Sequence, residues 1–153
     1  MKFLVNINRL KNDLELDEGI VYKIYLDHLG YKTFGVGHLV QPTDPEYLLS
    51  IGEQVSKERV DECFDKDVST CIDECKALYG DFDELPTEAQ LIIANMMFNL
   101  GRTNLSKFKG MKRGVDSRNW ALAANEMVDS LWYRQVTNRA ERLVKRMKNV
   151  SNT

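Results

Sequence analysis

Proline is scarce in this chain, with three residues in 153, and the 9 glycines are scattered rather than periodic. That composition excludes a collagen-like repeat and a proline-rich linker. Long hydrophobic runs are missing too, so no segment reads as a membrane-spanning helix. Cysteine is rare. Cys63, Cys71 and Cys75 are an odd number and cannot all pair within one chain. A C-x3-C spacing without two further ligands makes a poor zinc site, so the thiols read as small buried hydrophobes, reduced as in a cytosol. The start, Met1-Lys2-Phe3-Leu4-Val5-Asn6, has too short an apolar run for a secretory signal. No twin-arginine or lipidation motif appears. The sequence alone therefore predicts synthesis in a cytoplasm and retention there until something else releases the protein.

Neither sign of charge dominates. The formal net charge is −2, which argues against a dedicated nucleic-acid binder. The sum conceals a polarity: residues 1–95 carry 9 basic and 19 acidic groups, and residues 96–153 carry 12 and 4. The basic segment either compensates the acidic one on folding or offers a surface to an anionic polymer. What is present, 43% hydrophobic and 29% charged residues, is the balance of one globular domain. A chain of this length buries about 70% of its unfolded surface and folds without covalent staples.

Leu4, Ile7, Leu10 and Leu14 recur at three- and four-residue intervals and predict an amphipathic helix over 4–17, with Gly19 placed to end it. The pattern then changes. Val21–Leu26 and Tyr31–Val36 are rich in β-branched and aromatic residues, with Asp27 and Gly30 as turn chemistry between them, which predicts a β-hairpin. Gln41-Pro42-Thr43-Asp44-Pro45 breaks the strand and opens a loop or short helix. From 57 onward the pattern is helical. Ser56 is placed to cap a helix over 57–79, and Thr87-Glu88-Ala89-Gln90 reads as a capping box for a helix through Leu100. Asp116 and Thr137 are the expected caps of helices reaching about 128 and 148. The expected fold is α+β and mostly helical. A small β lobe over about 18–56 would face a larger helical lobe over about 57–153, joined by helix 4–17, with a substrate cleft between the lobes.

Candidate chemistry gathers where helix meets hairpin. Glu18 falls at the helix end, Asp27 at the hairpin turn and Thr33 on the returning strand. Two carboxyls and a hydroxyl are the parts that cleave an acetal: one carboxylic acid protonates the leaving oxygen, and the other carboxylate helps activate water. His38, after Gly35-Val36-Gly37, reads either as a base or as one half of an ion pair with Asp67. Trp132 through Arg142 is an aromatic-then-basic run whose simplest reading is a helix start with a solvated face.

These residues also carry a family resemblance. Leu16-Asp17-Glu18-Gly19, Tyr25-Leu26-Asp27, Gly30 through Leu39 and Phe64-Asp65-Lys66-Asp67-Val68 closely resemble the T-even phage lysozymes. So do Asn95 through Gly101, Ser130-Leu131-Trp132-Tyr133 and Thr137 through Arg142, in family order along nearly the whole chain. The resemblance implies a muramidase that hydrolyses, with inversion, the β-1,4 bond between N-acetylmuramic acid and N-acetylglucosamine in peptidoglycan. It implies Glu18 as general acid, Asp27 as the carboxylate assisting water, and Thr33 as the group positioning that water. It pairs His38 with Asp67, sets Arg139 against Glu18, and places Leu39 and Phe98 at sugar-contacting positions. Two departures stand out. The loop after Leu39 is shorter than in the best-known members, and two further sugar-contact positions hold Met111 and Glu126.

The implied role is that of an endolysin, a monomer acting on the glycan strands of the wall after a holin opens the membrane, with no stable membrane association. No metal or organic cofactor and no nucleic acid are expected. A lytic transglycosylase needs the glutamate but no water, and the presence of Asp27 and Thr33 counts against it. A non-catalytic wall-binding protein would use the basic segment alone.

Overall fold

Helix α1 spans Ile7–Glu18 in the computed structural model, which describes residues 2–153. Asn6 starts the helix by accepting the Arg9 amide proton on Oδ1 at 3.1 Å, an N-cap contact. Gly19 takes φ +75° at the other end. The helix predicted over 4–17 thus begins at Ile7, because Asn6 satisfies its first turn. Leu4 lies outside it and is 92% exposed.

Strands β1 (Val21–Leu26), β2 (Lys32–Gly35) and β3 (His38–Leu39) form an antiparallel sheet in that order. The register sets Tyr25 opposite Thr33, Thr33 opposite Leu39 and Phe34 opposite His38. The other edge of β1 is covered by the segment before α2: the Ile24 amide donates to Glu53 O at 2.9 Å and the Val55 amide to Tyr22 O at 3.0 Å. Between β3 and α2 the chain makes one short 3-10 helix, Pro45–Leu48. Helix α2 (Lys57–Leu78) is capped by Ser56, whose hydroxyl accepts the Arg59 amide proton at 3.1 Å.

Six helices follow: α3 (Thr87–Leu100), α4 (Arg102–Leu105), α5 (Lys109–Asp116), α6 (Trp120–Val128), α7 (Leu131–Gln135) and α8 (Thr137–Lys148). Three of the predicted caps do not form. Pro86 occupies the N-cap of α3 with extended backbone, so Thr87 is already helical and has no capping bond. Gln90, the other half of the box, donates from Nε2 to Phe3 O at 2.9 Å and to Phe82 O at 3.0 Å instead, while Glu88 lies 3.0 Å from Arg9 Nη2 and accepts from Arg146 Nε. Asp116 ends α5 and bonds Lys112 at 2.7 Å, while Asn119 caps α6 by accepting the Leu122 amide proton at 3.0 Å. Val136 is the N-cap of α8, and the Thr137 hydroxyl donates back to Tyr133 O at 3.0 Å.

The chain divides into two compact units, Lys11–Thr70 and Met1–Leu10 with Cys71–Thr153. The division falls inside α1 and α2. The first unit has its own core of Ile24, Phe34, Val55, Val60 and Cys63, with Val40 and Leu49 packed on it. Full burial of such side chains contributes about 1.5–3 kcal/mol each. The second unit is built on α3, buried without interruption from Glu88 to Met97. A helix apolar on every side belongs in the middle of a bundle. All three cysteines are free and buried. Burial pushes the Cys63 thiol up to about 11, so it behaves as packing and not as a nucleophile.

Candidate active site

Glu18 is the last residue of α1, and the turn Gly35–His38 comes up against its carboxyl. A Cβ built on Gly37 would lie 2.9 Å from Glu18 Oε1, and Gly37 holds φ +61°. Both facts demand glycine: the left-handed backbone, and the space that the carboxyl fills.

Asp27 follows β1 directly. Its Oδ1 accepts the amide protons of Leu29 and Tyr31, each at 2.9 Å, which locks the side chain in an Asx turn. Oδ2 is left available to a ligand. Thr33 is 4% exposed, and its hydroxyl donates to Tyr31 O at 2.9 Å. A hydroxyl has one proton, so the oxygen of Thr33 is left as an acceptor only.

Tyr25 ties these groups together. It is the cross-strand partner of Thr33 and stands on β1 two residues before Asp27, which follows the strand. Its phenol is held above the ordinary tyrosine range by burial first, then by the negative fields of Glu18 and Asp27. The two carboxyls therefore act on one hydroxyl. In the sequence Tyr25 stands only as a strand residue near Asp27, and no local spacing marks it as part of the site.

His38 has a different setting. Nδ1 lies 2.6 Å from Asp67 Oδ2, and Nε2 lies 2.8 Å from Asp44 Oδ2. His38 is 8% exposed. Burial alone would lower its pKa, but the bonds to Asp67 and Asp44, and their fields, outweigh it and raise the value. Asp44 is itself held below the usual carboxylate range: burial opposes this, and the Gln41 amide, His38 and Arg59 prevail. Arg59 reaches Asp44 at 3.2 Å and Glu46 at 2.9 Å. In the sequence Asp44 marks only a loop, because nothing in a six-residue spacing announces an ion pair with His38.

The unit Lys11–Thr70 thus holds Glu18, Asp27, Thr33, His38, Leu39 and Asp67; Leu39 is 44% exposed. The other unit holds Phe98 and Arg139. Phe98 is half-buried near the end of α3. Arg139, 9% exposed, donates from Nε to Asn95 Oδ1 at 2.8 Å and from Nη2 to Asn95 O at 3.3 Å. In the same unit Met111 is fully buried, and Glu126 lines a pocket of about 240 Å³ beside Gly110 and Asp129. Among the described residues no group of three or more His, Cys, Asp or Glu side chains is placed to hold a metal ion.

The family model described as phage lysozyme matches residues 15–149. The chain belongs to the phage lysozyme family. Two relatives from Dictyostelium discoideum, probable T4-type lysozyme 2 and probable T4-type lysozyme 1, are each 29% identical over 90% of this chain and 92% of their own length. The pre-baseplate central spike protein of Enterobacteria phage T4 is 28% identical over 85% of this chain, a match covering 26% of the spike protein. This phage lysozyme-family chain is accordingly an enzyme of the lysozyme type. Among its described residues no helix is long and apolar enough to cross a membrane.

Proposed function

We propose that this lysozyme hydrolyses the β-1,4 bond between N-acetylmuramic acid and N-acetylglucosamine in peptidoglycan, with inversion at the anomeric carbon. The observation that carries the reading is the convergence of Glu18, Asp27 and Thr33 on Tyr25. Glu18 is the general acid, protonating the glycosidic oxygen as the bond breaks. The attacking water donates one hydrogen to Asp27 Oδ2 and the other to Thr33 Oγ1, since each offers only lone pairs there. Both its protons are then engaged, and a lone pair is left facing the anomeric carbon. As the new C–O bond forms, the proton shared with Asp27 passes to the carboxylate while the Glu18 proton leaves with the departing sugar.

Glu18→Gln keeps the shape and removes the transferable proton. Turnover on purified peptidoglycan should fall by at least about 10²–10⁴-fold with folding intact. Near-normal clearing by Glu18→Gln would remove Glu18 from this role. Hydrolysis adds one water to the products, so fragment mass also separates this reaction from transglycosylation.

The proposal extends to biology: a monomeric endolysin, one domain over residues 1–153, that reaches the wall when a holin opens the membrane. Phe98 and Leu39 contact the sugars, and Arg139 and the His38–Asp67 pair support the fold. Expression in a Gram-negative host with and without a holin tests the route, and lysis should need both.

A further inference from the structure

We propose that the pocket beside Leu39, walled by Tyr31 and Tyr47, is a subsite for an N-acetylated sugar of the glycan strand, an inference that rests on the muramidase reading. The pocket, about 510 Å³, is lined by Tyr31, Lys32, Leu39, Gln41 and Tyr47, within the size range of small-ligand sites.

The short connection after β3 builds it. The 3-10 helix Pro45–Leu48 carries Tyr47, and Lys32 on β2 holds that turn in place by donating from Nζ to Leu49 O at 2.6 Å and Tyr47 O at 3.3 Å. Two tyrosines and a leucine are thereby kept in water, 58%, 51% and 44% exposed for Tyr31, Tyr47 and Leu39. Polar capacity sits beside them. Gln41 Nε2 donates to Leu39 O at 3.1 Å, which orients the amide and leaves Oε1 to accept.

An apolar wall with an oriented acceptor matches a hexopyranose. Its ring C–H groups carry partial positive charge and suit the negative face of a phenol ring, while an acetamido N–H or a hydroxyl donates to Gln41. Lys32 is already committed to two carbonyls, which favours a sugar over an anionic stem peptide. Position favours the strand as well: Leu39 is the cross-strand partner of Thr33, so the pocket adjoins the place proposed for the attacking water.

The test compares Tyr47→Ala, Tyr47→Phe and Gln41→Ala with the unmodified enzyme, on short and long oligosaccharides of alternating N-acetylglucosamine and N-acetylmuramic acid. Tyr47→Ala should raise KM about threefold to tenfold on long strands, the worth of one aromatic contact, with kcat unchanged and short substrates unaffected. Tyr47→Phe keeps the ring and should stay near the unmodified value. Gln41→Ala, at an exposed position, should weaken long strands in the same way, and melting curves confirm folding of each variant. Calorimetric binding of a long oligosaccharide to Glu18→Gln protein, with and without Tyr47→Ala, should show the same loss without turnover. A chain-length profile identical in Tyr47→Ala and the unmodified enzyme overturns the subsite and leaves the muramidase standing. An unmodified enzyme that cleaves no strand overturns the muramidase reading, and the subsite with it.

Discussion

The unit Lys11–Thr70 contains two clusters of acidic side chains, and they are finished to different degrees. Around His38, both ring nitrogens meet carboxylates, and Asp44 also receives Arg59 and the Gln41 amide. Around Tyr25, Asp27 spends one oxygen on two amides, and Thr33 spends its only proton on Tyr31 O. One oxygen of Asp27 and the lone pairs of the Thr33 hydroxyl are left over as acceptors. A saturated network stabilises, whereas a network rigid on one side and open on the other is prepared for a ligand. Charge alone would not separate them, since both hold two or more carboxylates around one titratable ring.

The comparison is broken most severely by removing the open acceptor. Asp27→Asn keeps the size of the side chain but cannot take the proton from water. Turnover should fall about 10²-fold or more, in the range for a lost acid–base group. Its melting temperature should change little, because Oδ1 still accepts from Leu29 and Tyr31. A large loss of stability with activity retained would mean that this cluster, too, is structural.

Gly37→Ala should come next. A methyl group 2.9 Å from Glu18 Oε1 must displace the carboxyl, and alanine at φ +61° costs about 1–2 kcal/mol. We expect turnover to fall about tenfold or more, with a melting temperature lower by about 2–8 °C. The pH profile of kcat is the decisive reading, because a merely strained turn leaves its alkaline limb, set by deprotonation of the general acid, where it was.

The smallest effect on catalysis belongs to the saturated cluster. Asp44→Asn retains a hydrogen-bonding side chain and loses the charge that helps hold the His38 pKa up. The folded pKa of His38 is raised, so its contribution is complete below the unfolded value of 6.5 and fades as pH rises through the folded value. The Asp44 pKa is depressed, so its contribution is present above 3.8 and is lost as pH falls through its folded value. The variant should therefore lose most near pH 5, about 1–3 kcal/mol or roughly 2–10 °C in melting temperature. The deficit should shrink at pH 8, with activity at permissive temperature unchanged. An equal deficit at both values would detach His38 from Asp44.

The ends of elements were legible where one residue could play one part. Gly19 ends α1 because a positive φ suits glycine, and the hairpin showed in the β-branched run with Asp27 and Gly30 between. Strand β3 was not legible, since two residues carry no periodicity. The capping box at Thr87 misled for a physical reason: Pro86 takes the N-cap position, and Gln90, the other half of the box, donates to Phe82 O and to Phe3 O, distant in sequence. The candidate site was readable as residue types in order along the chain. Its organisation around Tyr25 was not, because a field acting through space leaves no mark on local spacing.

In the proposed mechanism a water held between Asp27 and Thr33, and not the Asp27 carboxylate itself, attacks the sugar. Proton NMR of the first product formed, recorded before mutarotation, tests it directly. That route requires Glu18 and Asp27 to stand far enough apart to admit the water, about 6.5–9.5 Å in inverting enzymes. The β-linked substrate should then release the α-anomer first. Initial release of the β-anomer would make Asp27 a nucleophile and contradict the role given to Thr33.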